Sequence, residues 1–166
     1  MNWLRTILDG LMMSAVFNIG IALVWMLFPD AFAAKMYPKE LKEAAPWLND
    51  VSKKPIRLMY VILYPPILIY AILSAYNAGV TGFWNLFWMG YIEFFCMNLG
   101  DFFGLDIFFR EKMGDKLVVK GTEGHPLYER KNWLKKLGIP EHWVAWPFVI
   151  CPIGGLLLAG IVTWLR

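Results

Sequence analysis

The stretch YIEFFCMNLGDFFGLDIFFRE, residues 91–111, is largely apolar, yet it carries Glu93, Asn98, Asp101 and Asp106 and ends in Arg110–Glu111. An ionised side chain at the centre of a bilayer costs roughly 2.5–3.5 kcal/mol or more, so such residues face a bundle interior, a wet cavity or the interface. At about 100° per residue, Asn98 and Asp101 share one side of a helix with Asp106 at its margin. Cys96, Gly100 and Gly104 fall on the opposite side with Glu93, in the small-xxx-small spacing that lets another helix approach closely. A homodimer through Cys96, Gly100 and Gly104 is expected on that basis.

The 166 residues are 58% hydrophobic and 17% aromatic, against about 45–50% apolar content in soluble domains. The chain therefore reads as a single membrane domain whose first partner is the lipid bilayer. Its net charge of +3 is spread along the polar segments, which leaves no basic face for nucleic acid. Cys96 and Cys151 lie far apart in apolar runs, so they form neither a redox pair nor a metal cage. Residues 1–30 lack a cleavage pattern and read as a retained helix.

A spanning helix needs about 20 mostly apolar residues. Four such runs occur, at about 3–28, 56–75, 82–103 and 144–165. The expected fold is an all-α, four-transmembrane-helix bundle with short amphipathic helices in its loops, 29–55 and 104–143. Those two loops and their margins hold fourteen of the lysines and arginines, leaving only Arg5 and Arg166 on the other side. The positive-inside rule then places both loops in the cytoplasm and both termini outside. Trp3, Trp84, Trp88, Trp143, Trp146 and Trp164 fall near span ends, as interfacial rings do. PKELKEAAPWL, from Pro38, and NWLKKLG, ending at Gly138, read as the interfacial helices. Pro65 and Pro66 in the second span and Pro147 and Pro152 in the fourth remove backbone donors and kink their helices.

On this orientation Glu93 lies near mid-bilayer, within reach of Asn18 or Tyr70. Asn98 and Asp101 lie deeper toward the cytoplasm, level with Arg57, Tyr60, Tyr64 and His142. Asp106 and Arg110, four residues apart, are expected to pair as an interfacial anchor. A polar pocket roofed by the Gly121–His125 turn is expected at this inner end, with Thr122, Glu123 and His125 as its loop residues.

NLGDFFGLDIFF followed by LVVKGTEGHPLYER resembles a group of small, functionally uncharacterised bacterial membrane proteins. In that group an acidic D-x4-D helix end precedes a GTEG loop and a tyrosine, here Asp101, Asp106, Gly121, Thr122, Glu123, Gly124 and Tyr128. Where a histidine is expected after the tyrosine, this chain has Asn132–Trp133. The resemblance implies a bacterial inner-membrane protein and assigns no activity.

Three functions compete. The first is a non-enzymatic binder or transporter of a small solute or ion that uses Glu93, an intramembrane carboxylate being a functional residue by default. The second is a membrane enzyme acting on a lipid or polyprenyl-type substrate from the cytoplasmic leaflet, which requires Asn98, Asp101 and Asp106 to converge with Arg57 or His142. The third is a structural or accessory subunit. No span holds an interior histidine, so no transmembrane bis-histidine haem is expected. His125 and His142 read as peripheral, and no four-ligand zinc set can be assembled around either. Asp101 and Asp106 remain as the metal candidates, through oxygen ligation of an ion such as Mg²⁺.

Overall fold

The computed structural model describes residues 2–166, which are 85% helical with no strand among them. Helix α1 (Trp3–Leu27) is capped by Asn2, whose side chain accepts from the Arg5 N–H at 3.2 Å. Two short helices follow, α2 (Pro29–Met36) and α3 (Lys39–Ala44). Proline begins the first and caps the second, positions where its missing donor costs nothing. A single 3₁₀ turn, Pro46–Asp50, leads to α4 (Lys54–Asn77), which runs unbroken through Pro65 and Pro66. Gly79 and Gly82, at φ +65° and +84°, turn the chain into α5 (Phe83–Gly100).

The expected third span is longer than 82–103. Beyond Gly100, α5 passes into a π-helical stretch, Asp101–Phe109, and then α6 (Arg110–Leu117). The last helix also outruns its expected span of 144–165. It starts at α7 (Arg130–Trp133), passes through π-helical Leu134–Gly138 and Glu141–Ile150, and ends in α8 (Cys151–Trp164). Gly138 therefore does not terminate a separate interfacial helix. Its φ is not positive, and a Cβ there would meet Leu134, Asp106 and Phe102 at 2.9–3.3 Å. Glycine is needed at this point for close approach, not as a cap.

Three helices, Trp3–Leu27, Lys54–Asn77 and Arg130–Trp164, are long and apolar enough to cross a membrane. They carry outward-facing apolar side chains such as Leu8, Ile19, Leu58, Ile69, Phe148 and Ile153. The α5 helix lies between α1 and α8 and makes its most extensive contacts with both. Glycine sets that closeness. A Cβ on Gly155 would come within 2.6 Å of the Phe87 carbonyl oxygen, and one on Gly90 within 3.1 Å of the Gly155 Cα. On the other side of α5, Cys96 packs on Gly10, and Gly100 on Ser14 and Asn18, while Gly104 has open space around it. Inside the chain, the Cys96–Gly100 part of the small-residue row is thus covered by α1.

The end of the bundle that carries the termini is held by a buried carboxylate that the sequence did not single out. Asp9 on α1 accepts from Tyr70 at 2.7 Å and from Ser74, both on α4, and Arg5 donates from Nε to the Ser74 hydroxyl at 3.0 Å. Hydrogen bonds between membrane helices contribute on average about 0.6 kcal/mol and at most about 1.7. Tyr70→Phe is accordingly expected to lower the unfolding free energy by about 1 kcal/mol, read by thermal melting in lipid.

Candidate functional site

At the opposite end, α1, α2, α4 and the three π-helical stretches enclose a chamber of about 300 Å³. One wall is aromatic: Trp25 stacks on Phe32 with centroids 4.5 Å apart, and Tyr37 meets Trp133 edge-on at 5.3 Å. The Tyr37 hydroxyl donates to the Leu117 carbonyl at 2.8 Å and accepts from the Trp25 indole at 3.3 Å. Burial pushes that phenol well above its usual range. Tyr60 and Tyr64 line the chamber from α4, and Asp101, Asp106, Glu141 and His142 supply its charged and imidazole groups.

The π-helical turns explain how both aspartates reach the chamber. Hydrogen bonds from i to i+5 place residues five apart above one another, so Asp101 and Asp106 share a face that α-helical spacing would split. Glu141 and Trp146 are related in the same way. In Glu141–Ile150, Pro147 lacks the N–H that an α-helical ladder requires, and its ring would crowd the carbonyl four residues back. A widened turn relieves that conflict. Tyr91 donates to the Pro147 carbonyl at 3.2 Å.

His142 is the centre of the polar set, and it is buried rather than peripheral. Asn98 grips it twice. The amide nitrogen donates to the His142 carbonyl at 2.9 Å, and the amide oxygen lies 2.7 Å from Nδ1. An amide oxygen only accepts, so Nδ1 carries hydrogen and Nε2 is the nitrogen left for other partners. Nε2 lies 3.1 Å from Asp106 Oδ2, and the other Asp106 oxygen accepts from the Trp133 indole at 3.1 Å. Ligand atoms of Asp101, Glu141 and His142 all lie within 4.8 Å of one another. The indole N–H of Trp146, another chamber residue, is buried without a hydrogen-bond partner.

Asn98, Asp101, Asp106, Tyr60, Tyr64 and His142 thus come together. Arg57 is exposed and lines no part of the chamber. The Asn18 amide nitrogen lies 2.8 and 3.4 Å from the Ser14 and Met97 carbonyls and 3.1 Å from the Ser14 hydroxyl, its amide oxygen is buried without a partner, and it lines no part of the chamber. The Asp106–Arg110 side-chain pair does not form: Arg110 donates to the Asp106 and Tyr128 carbonyls and lies over the Trp133 ring.

The Gly121–His125 turn does not roof the chamber; the aromatic wall does. Its polar groups serve the turn itself. Gly121 and Gly124 adopt φ of +86° and +78°, and Thr122 donates to the Val119 carbonyl at 2.8 Å. Glu123 accepts twice from the Gly121 N–H, which holds its carboxyl below the usual range, and His125 Nδ1 accepts from the Leu127 N–H.

Glu93 stands apart from all of this. It is fully buried on α5, both its oxygens lack a partner, and it lines none of the cavities described. A buried polar group without a partner costs about 1–3 kcal/mol. Glu93→Met, close in volume and apolar, is expected to raise the melting temperature in lipid, and a lower one would show that the carboxyl has a stabilising contact.

Glu141 and Trp146 are the chamber residues that the sequence concealed. Glu141 falls in what reads as loop, and Trp146 reads as one more interfacial ring. The adjacency of Glu141 to His142 was the available signal. An all-helical chain with membrane-length apolar helices around an acidic, aromatic-walled chamber is the class that this fold and site define. No known protein family, curated protein or solved structure matches it.

Proposed function

We propose that the chain is a four-span integral membrane protein that binds a small cation in the chamber at the cytoplasmic end of its bundle. The spans are α1, α4, α5 with its π-helical extension, and the last helix through Glu141–Ile150 and α8. The fourth span rests on the position of α5 between α1 and α8 and on the inward burial of Glu93 and Asn98. The orientation rests on the lysine and arginine distribution. One observation carries the functional reading: three carboxylates and an imidazole line one chamber whose lining includes no lysine or arginine. Clefts lined by one sign of charge with low-dielectric walls concentrate the opposite charge, and aromatic faces add to the attraction for cations.

A second reading, an enzyme acting on a lipid or polyprenyl-type substrate, is favoured by the large apolar groove between α1 and α4. That groove, about 710 Å³ with Lys54 at its lining, shares Met59 with the chamber. An acyl chain could lie there with its headgroup toward the acids. Thermal melting of the protein in lipid nanodiscs against a panel of inorganic and quaternary ammonium cations tests the first reading. At least one cation is expected to raise the melting temperature of the wild type and not of Asp101→Asn. No stabilisation by any cation would contradict it.

A further inference from the structure

Resting on the cation-binding reading, we propose that the bound ion is a divalent first-row transition metal of the Zn²⁺ or Mn²⁺ type. Its ligands are one oxygen each of Asp101 and Glu141 and the Nε2 of His142. Metal–ligand bonds of about 2.0–2.2 Å put two ligands of one ion at most about 4.4 Å apart. One ligand atom from each of the three residues already lies within 4.8 Å of the others, so small side-chain rotations close the set. Two carboxylates and a neutral imidazole balance the charge of a divalent ion, which a low-dielectric site demands, and Nε2 exchanges its 3.1 Å contact with Asp106 for the ion. The imidazole suits zinc or iron and the two carboxylates also suit Mn²⁺, whereas Mg²⁺ and Ca²⁺ take oxygen ligands.

Two features outside the ligand set support the assignment. Metal-binding histidines direct their other ring nitrogen to a partner that fixes tautomer and orientation, and Asn98, fully buried, does this for His142 from behind. Independently, Trp146 lines the same chamber and its indole N–H is buried without a hydrogen-bond partner. It is a donor left for an acceptor in the chamber, such as a water on the open position of a three-ligand ion.

The test uses the full chain in nanodiscs, stripped with chelator, then titrated with Zn²⁺, Mn²⁺ and tetramethylammonium, with bound metal counted by mass spectrometry after desalting. One Zn²⁺ or Mn²⁺ per chain is expected, with affinity at least tenfold weaker in Asp101→Asn and in Glu141→Gln, both near-isosteric and checked for helicity. Equal retention by those variants would overturn the assignment. So would Asp101-dependent binding of tetramethylammonium without metal binding, which leaves the cation reading intact. Binding of neither overturns both.

Discussion

Asp101→Asn is expected to weaken cation binding by about 100-fold while leaving the fold in place. The substitution keeps the side-chain shape and removes one negative charge from a chamber where each acidic group faces low-dielectric walls. Charge-assisted interactions contribute about 1.5–3 kcal/mol, and every 1.4 kcal/mol is tenfold in affinity. Asp101 itself makes no ion pair among the described residues, so its loss strands no partner. Asn98→Ala should act differently. It releases His142 from both the 2.9 and 2.7 Å contacts and leaves a buried main-chain carbonyl unpaired, so it should lower stability and affinity together. Titration of each variant in nanodiscs, read alongside its melting temperature, separates the two effects.

Gly155→Leu is expected to prevent assembly of the bundle, a loss of at least 3 kcal/mol. Overpacking in a close-packed interior costs about 1–3 kcal/mol when neighbours can shift. Here the first obstacle is the Phe87 carbonyl oxygen, 2.6 Å from the added Cβ, followed by the Phe87 ring at 3.0 Å. A backbone atom of a helix wedged between two others has nowhere to go. Gly104→Leu supplies the contrast, since nothing lies within 4 Å of a Cβ at that position, and it should melt within about 0.5 kcal/mol of the wild type, as surface substitutions do. Expression, gel filtration and melting of the two variants check the pair.

The helices themselves were legible because their apolar runs match bilayer thickness; α1 and α4 begin and end within two residues of the runs at 3–28 and 56–75. The polar site was half legible. Asn98, Asp101, Tyr60, Tyr64 and His142 were placed at one depth by span length and loop charge alone. Spacing set Asp106 only at the margin of the Asn98–Asp101 face, because the 100° rule assumes an α-helical ladder and residues 101–109 do not keep one. Spacing misled before the last span. Gly138 and Pro140 are ordinary stop signals, yet the helix runs through both, with the glycine packed on Phe102 and Asp106. Glu141 was lost with that boundary. Glu93 stands out in the sequence for its depth, whereas its full burial away from the chamber depends on how the helices pack around α5.

The most direct test sets the chamber against Glu93. Metal and quaternary ammonium binding would be measured by calorimetry on wild type, Asp101→Asn and Glu93→Gln in the same nanodiscs. Binding that survives Glu93→Gln and is lost in Asp101→Asn is the expected result. Binding lost in Glu93→Gln and kept in Asp101→Asn would contradict the chamber as the working site.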